Sequence, residues 1–182
     1  TDIGGFHQGN PDDPAFRELL IRWFQWGCYC PVMRLHGDRQ PSEPVYRADG
    51  TRVLNSGAKN EVWSFGEEAY PILVKYLERR ESMRDYVRGL MRQAHEEGTP
   101  LLRGMFYECP GDPACADLKD QYFFGPRYLV APVLNPGCRE RSVYFPEGQW
   151  KNVDTGEILS GGQYRTVPAP LDVIPVFERI DP

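Results

Sequence analysis

The sequence predicts an α/β segment over residues 1–110 and a small all-β domain over residues 111–182. Helix-type and strand-type patterns alternate in the first part, as they do in α/β domains. After roughly residue 120 only short apolar runs remain, and glycine and proline separate them, which is typical of antiparallel β-structure. Hydrophobic residues make up 41% of the 182 residues and aromatic residues 13%, so the chain is able to bury a core.

The chain opens with the stub Thr1–Phe6, whose two glycines are of the kind that follows a strand, and we therefore expect the chain to be a fragment. Asp13 as N-cap and Pro14 at the first helical position predict the start of a helix. Apolar residues then recur at spacings of three, four, seven and eight residues, which indicates one apolar face of a helix. These residues are Phe16, Leu19, Leu20, Trp23 and Phe24. The helix is predicted to end near Gly27.

Residues 31–37 predict a short buried strand, and a polar loop over residues 37–62 follows it. The loop carries turn signals at Asp49-Gly50 and at Asn55-Ser56-Gly57. Such a long excursion inside a compact domain is often functional.

A second helix is predicted from about Gly66 to Glu97, and Gly98 is its stop. Its apolar face comprises Leu73, Leu77, Tyr86, Leu90 and Met91. Residues 101–108 are expected to be extended. The remaining short runs predict the strands of a small antiparallel sandwich, at residues 128–134, 143–145, 149–153 and 174–177.

Composition excludes several classes of function. The net charge of −5, without a long basic run, argues against a nucleic-acid partner. No apolar run approaches the ~20 residues of a membrane-spanning helix, so no membrane partner is expected. The odd number of cysteines, without a Cys-x-x-Cys pair, predicts free buried thiols and no metal site. These cysteines are Cys28, Cys30, Cys109, Cys115 and Cys138.

Four side chains at predicted strand ends are candidates for a sugar-binding site: Asp2, Phe6, Arg34 and His36. In a barrel of parallel strands the carboxyl ends converge on one mouth, where substrate binds. Carboxylate and imidazole groups hydrogen-bond to sugar hydroxyls, and an aromatic ring packs on the apolar face of a sugar. From the residues alone, Asp2 as a strand-end cap and His36 as a core histidine remain alternatives.

The order of motifs along nearly the whole chain resembles glycoside hydrolase family 31, the α-glucosidases and α-xylosidases. The resemblance begins with Thr1-Asp2-Ile3-Gly4-Gly5-Phe6 and Pro31-Val32-Met33-Arg34-Leu35-His36-Gly37. It continues through Trp63-Ser64-Phe65-Gly66, Leu129-Val130-Ala131-Pro132-Val133 and Ala169-Pro170-Leu171-Asp172. It implies the last strands and helices of a (β/α)8 barrel, followed by a small antiparallel β-sandwich.

The resemblance also implies a chemistry. Family members are retaining enzymes that remove terminal α-linked glucose or xylose with two aspartates, and in the family both aspartates precede this segment. We therefore expect no catalytic residue within the chain. Asp2 and His36 match residues that hydrogen-bond to the sugar in the −1 subsite, Arg34 matches a basic residue that orders neighbouring carboxylates, and Phe6 lines the pocket.

Further expectations follow from this assignment. The reaction needs no cofactor and no metal, because the two carboxylates do the acid, base and nucleophile work. The partners are an oligosaccharide or another α-glycoside and the remainder of the parent enzyme, the location is cytoplasmic, and a homo-oligomer stays open. Without a partner, residues 1–110 should be poorly stable, because a (β/α)8 barrel needs about 250 residues to close. Residues 120–180 could fold alone.

Two alternatives remain from the sequence. The β-domain could itself be a carbohydrate-binding or scaffolding module that engages glycans through aromatic residues such as Trp150 and Tyr164. Exposed rings would favour that function, and buried rings a supporting role. The second alternative keeps the fold and changes the chemistry to glycosyl transfer or elimination.

Overall fold

The structure is a computed structural model that describes residues 1–42, 44–53 and 58–180. The chain divides into two compact units. The first comprises Thr1–Cys28 and Val32–Arg79, and the second Tyr29–Pro31 and Arg80–Pro182. None of the helices among the described residues is long and apolar enough to cross a membrane.

Helix α1, Pro14–Cys28, is the main helix of the first unit, and its predicted start is confirmed. The side chain of Asp13 accepts a hydrogen bond from the backbone nitrogen of Ala15 (2.9 Å), which satisfies one of the amides that a helix start leaves open. Of the predicted apolar face, Leu19 is exposed and Trp23 half-buried, whereas the other three residues are buried. The buried face is therefore shifted relative to the predicted one, because it leaves out Leu19 and Trp23 and includes Ile21, Arg22 and Gln25.

The strand predicted over residues 31–37 is wrong as an extended element. Within these residues, all of them described, the pairing is a single parallel bridge between Asp2 and Arg34. The backbone nitrogen of Ile3 donates to the carbonyl oxygen of Arg34 at 3.0 Å. The bridge nevertheless has the parallel direction that neighbouring strands of a (β/α)8 barrel require.

The loop predicted over residues 37–62 contains a small hairpin. Strands β1 (Val45–Tyr46) and β2 (Arg52–Val53) pair antiparallel, and the predicted turn at Asp49-Gly50 joins them. The turn predicted at residues 55–57 lies outside the described residues. A 3-10 helix, Val62–Phe65, follows and buries Phe65.

The single helix predicted from Gly66 to Glu97 is wrong, because the structure has two. Helix α2 covers Ala69–Ser82 and α3 covers Arg84–Glu97. Met83 separates them with φ −91° and ψ 6°, and its side chain is buried, so the break brings an apolar group inside. The predicted stop at Gly98 is confirmed, since its backbone nitrogen donates to Ala94 at 3.1 Å.

The second unit contains two antiparallel sheets. Six strands run in the order β3-β4-β5-β10-β7-β8, and β6 pairs with β9. Their bounds are β3 Leu102–Gly104, β4 Tyr122–Phe124, β5 Tyr128–Val130, β6 Glu140–Phe145, β7 Gln149–Asn152, β8 Ile158–Ser160, β9 Gln163–Pro168 and β10 Val176–Arg179. One buried cluster draws on both sheets, with Phe123 and Phe177 from the first and Phe145 and Val167 from the second.

Two short helices complete this unit. Helix α4 is a single turn, Met105–Glu108. Of residues 101–108, which were expected to be extended, only those of β3 form a strand. A 3-10 helix follows at Pro113–Cys115, and the side chain of Asp112 accepts a hydrogen bond from its first turn. Because β3 already pairs with β4, the sheet begins before residue 110, and the domain boundary placed there stays a prediction.

The two aromatic residues singled out in the β-domain differ in burial. Trp150 is fully buried, and its indole nitrogen donates to the carbonyl oxygen of Pro146 at 2.8 Å. Tyr164 is 57% exposed and packs its ring on that of Tyr144, with 4.8 Å between centroids. Trp150 is therefore a core residue, and it gives no support to a glycan-binding surface.

Replacing Trp150 with alanine should lower the free energy of unfolding by about 3–5 kcal/mol, because it leaves a cavity in the shared core. Tyr164→Ala is the matched control and should cost less than about 1 kcal/mol, since most of that ring is already in water. Urea unfolding followed by circular dichroism measures both. Equal losses in the two variants would contradict the placement of Trp150 in the core.

Candidate functional site

The structure places Asp2 and Arg34 side by side in the first unit. Their backbones form the parallel bridge, and the Nε of Arg34 donates to Oδ1 of Asp2 at 2.9 Å. One terminal nitrogen of the same guanidinium also bonds to Oδ1. The Asp2 side chain is thus held by Arg34, 32 positions further along the chain, and does not cap the end of its own segment.

Phe6 and His36 form a second pair on the same two segments. Their ring centroids lie 5.2 Å apart at an interplanar angle of 46°. Both residues are exposed, and Phe6 is 49% accessible to solvent. The alternative in which His36 is a core histidine is therefore wrong. The two rings are available to a ligand in solution.

Gly37 allows the backbone to pass close to Phe6. Its φ is +123°, and a Cβ atom added there would lie 2.2 Å from the carbonyl oxygen of Phe6. That same oxygen accepts a hydrogen bond from the backbone nitrogen of Asp38 at 2.8 Å. Only a residue without a side chain fits this approach, which fixes the position of His36 relative to Phe6.

The buried guanidinium of Arg39 lies beneath both segments. It is fully buried and faces backbone carbonyl oxygens at 2.9–3.3 Å, together with Oδ1 of Asn60 at 2.9 Å. The carbonyl groups belong to Ile3, Gly4, Gly5, Gln8 and Asp38. Its charged plane also lies 5.4 Å from the ring of Phe16 on helix α1.

Burial lowers the pKa of Arg39 from its usual value, while the charge of Asp38 acts in the opposite direction. Arginine nevertheless keeps its proton in proteins, so the group stays a cation. A buried cation needs hydrogen-bond acceptors on every side, and the carbonyl oxygens of residues 3–8 provide them. Arg39 therefore fixes the shape of the segment that carries Asp2 and Phe6.

Among the described residues, no group of three or more histidine, cysteine or carboxylate side chains is arranged to hold a metal ion. Of the cysteines, Cys28, Cys30 and Cys115 are buried, and Cys109 and Cys138 are half-buried. Burial raises the pKa of the Cys30 thiol to about 11, so that thiol is protonated at neutral pH.

Comparison with known proteins decides the family. Residues 1–90 match the "Glycosyl hydrolases family 31 TIM-barrel domain", and residues 98–181 match the "Glycosyl hydrolase family 31 C-terminal domain". The chain belongs to glycoside hydrolase family 31. These matches bear out the predicted family and the order of its two domain types, while the closed eight-stranded barrel and the sandwich arrangement stay predictions.

Named relatives carry the same family resemblance over nearly the whole chain. An α-xylosidase of Saccharolobus solfataricus is 34% identical over 98% of it, and α-glucosidase 2 of Bacillus thermoamyloliquefaciens is 36% identical over 97%. A crystal structure of an α-xylosidase from a soil metagenome, complexed with xylose, is 50% identical over 100% of the chain with a TM-score of 0.93. The chain spans 22%, 20% and 27% of these three proteins.

Sequence reasoning found the four candidate residues of this family 31 chain and missed Arg39. The structure brings the four together as two pairs, and their roles in binding stay predictions. A signal for Arg39 was present, because the glycines at positions 4, 5 and 9 leave backbone carbonyl groups that no regular element covers. The arginine just beyond Gly37 carries a guanidinium group with several donors, which is able to bond to more than one of them.

Arg39→Lys should lower the free energy of unfolding by about 3 kcal/mol, because the ammonium group keeps the charge but cannot reach all the carbonyl oxygens. The backbone nitrogens of Gly5 and Asp38, which are bonded within these segments, should then exchange hydrogen faster. Arg52→Lys, at an exposed position of β2, is the control and should change stability by less than about 0.5 kcal/mol. Unchanged exchange at both amides in Arg39→Lys would contradict the role given to Arg39.

Gly37→Ala should cost about 3 kcal/mol or more, because the added Cβ collides with the carbonyl oxygen of Phe6. Gly50→Ala is the matched control, since Gly50 also has a positive φ, +82°, but no atom lies within 4 Å of the added Cβ. Backbone strain alone should cost the control about 1–2 kcal/mol. Urea unfolding of both variants gives the difference, and equal losses would show that the close approach of Phe6 is unimportant.

Proposed function

We propose that the chain is the C-terminal part of a longer, retaining, exo-acting α-glycosidase, an α-glucosidase or α-xylosidase. In this proposal it supplies residues of the −1 subsite, while the nucleophile and the acid/base lie upstream. The observation that carries the proposal is the pairing of Asp2 with Arg34 beside the pairing of Phe6 with His36. Support also comes from the family match, and from relatives named as α-xylosidase and α-glucosidase that are four to five times longer than the chain.

The geometry suits recognition of a terminal sugar. Both hydrogen bonds from Arg34 go to Oδ1 of Asp2, so Oδ2 is left to accept a hydrogen bond from a sugar hydroxyl. The two hydrogen bonds from Arg34 hold the Asp2 carboxylate in a fixed orientation. The exposed imidazole of His36 can bond to a neighbouring hydroxyl, and the ring of Phe6 offers an apolar surface.

The division of labour follows from the chemistry of retention. A retaining glycosidase needs two carboxyl groups about 5–5.5 Å apart, one as nucleophile and one as acid and then base. We assign neither role to this chain. Its four residues instead hold the sugar so that the upstream aspartates meet the anomeric carbon, which makes their contribution one of binding and orientation.

The test uses the longer enzyme that contains this chain and the isolated 182-residue chain. The longer enzyme should release p-nitrophenol from an aryl α-xyloside or α-glucoside, and the sugar should appear first as the α-anomer when followed by NMR. The isolated chain should be silent on both substrates. Turnover by the isolated chain, with its mass verified, would overturn the division of labour. First appearance of the β-anomer would overturn retention.

Within the longer enzyme, Asp2→Asn should lower kcat/KM by about 10–100-fold, since a hydrogen bond to a charged group is worth about 1.5–3 kcal/mol. Asp117→Asn, an exposed carboxylate of the second unit, is the control and should leave kcat/KM unchanged. The α-glycosyl transfer alternative predicts the same loss, and analysis of the products separates transfer from hydrolysis. An Asp2→Asn enzyme with full activity would exclude Asp2 from the subsite.

A further inference from the structure

A second concave surface lies in the first unit, next to the segment that carries His36. It is a cleft of about 670 Å³, and we call it the Trp63 cleft. The residues of its lining that matter here are Gln40, Lys59, Glu61 and Trp63. None of these residues belongs to the proposed −1 subsite.

Trp63 stands out because it is 67% exposed although tryptophan is costly to leave in water. A short helical turn anchored by a buried side chain carries it. The 3-10 helix Val62–Phe65 buries Phe65 completely, and the ring of Phe65 lies 6.5 Å from that of Phe16 on α1. An exposed indole on a fixed turn is a preorganised surface against which a flat or weakly apolar ligand can pack.

Polar groups flank the indole. Glu61 has one oxygen, Oε2, in hydrogen bonds from the side chain of Ser64 (3.2 Å) and the backbone nitrogen of Asn60 (3.1 Å). These bonds fix the carboxylate without using its other oxygen. Lys59 is exposed and also lines the cleft. One aromatic face with hydrogen-bonding groups of both kinds at its edge matches the two-sided chemistry of a sugar ring.

The cleft is connected to the proposed −1 subsite through Asn60. Its side-chain oxygen accepts from Nε of Arg39 at 2.9 Å, and its side-chain nitrogen faces the carbonyl oxygen of Gly37 at 3.5 Å. Asn60 therefore joins the residue beside His36 to the two residues, Lys59 and Glu61, that line the cleft. On the other side of the cleft, the backbone nitrogen of Gln40 donates to the carbonyl oxygen of Gly9 at 2.8 Å. Both sides of the cleft are therefore hydrogen-bonded to the loops that shape the subsite.

We propose that the Trp63 cleft binds the sugar residues on the leaving-group side of the scissile bond. This inference rests on the proposed function and deepens it, because it makes an α-linked oligosaccharide the substrate in preference to a short glycoside. The terminal sugar occupies the −1 subsite, and the rest of the oligosaccharide packs on Trp63 and bonds to Lys59 and Glu61.

The experiment compares two substrates of the longer enzyme: an α-linked trisaccharide and the α-glycosyl fluoride of the same terminal sugar. Fluoride is a leaving group without any sugar, so its turnover does not depend on a leaving-group site. Trp63→Ala should lower the ratio of kcat/KM for the trisaccharide to kcat/KM for the fluoride by about tenfold, which corresponds to about 1.4 kcal/mol. Trp63→Phe should retain most of that ratio.

Tyr46→Ala is the matched control. Tyr46 is 61% exposed on β1 of the same loop but does not line the cleft, so its removal should leave the ratio unchanged. An unchanged ratio in Trp63→Ala overturns the inference, and so does an equal fall in Tyr46→Ala. If the unmodified enzyme cleaves neither substrate, the proposed function itself fails. If it cleaves the fluoride and the variants do not alter the ratio, only the assignment of the cleft fails.

Discussion

The arrangement of the candidate site depends on one buried cation. The guanidinium of Arg39 lies in a region where water cannot solvate it, and its charge is tolerated because carbonyl oxygens of two segments surround it. Those segments carry Asp2 and Phe6 on one side and His36 on the other. The interaction works in both directions, because Arg39 in turn donates hydrogen bonds to the carbonyl groups of Ile3, Gly4, Gly5 and Gln8 in the glycine-rich segment. The hydrogen bonds of the Arg39 guanidinium thus stabilise its buried charge and also satisfy the backbone carbonyl groups.

The sequence predicted those features of the fold that depend on residues adjacent in the chain. The start of α1 followed from Asp13 and Pro14, because capping is a local interaction. The break at Met83 did not, since no proline or glycine marks it and the burial of the Met83 side chain depends on packing. In the same way, the exposure of Leu19 on α1 and the burial of Trp150 on β7 depend on their neighbours in space. A local signal marks where α1 begins, whereas tertiary contacts account for the break before α3 and for which faces are buried.

The candidate site shows the same division. The resemblance to family 31 supplied Asp2, Phe6, Arg34 and His36 as a set, but a single sequence could not show that they pair as Asp2 with Arg34 and Phe6 with His36. Nor could it show Arg39, whose partners lie 31 to 36 residues earlier in the chain, apart from Asp38 and Asn60. Long-range hydrogen bonds of this kind produce no periodic pattern in the sequence. The residues proposed to contact the sugar were therefore easier to find than Arg39, which holds their segments in place.

The first unit has few sheet hydrogen bonds and several exposed apolar side chains. Among its described residues the parallel pairing consists of one bridge, and each hairpin strand is two residues long, so sheet hydrogen bonds satisfy little of that backbone. Large apolar side chains at Leu19, Val32 and Leu77 are exposed. Apolar surface of this kind, beside the open edges of a parallel pair, is what neighbouring strands and helices of a barrel would cover. If they do, the bridge between Asp2 and Arg34 becomes one contact of a longer parallel ladder.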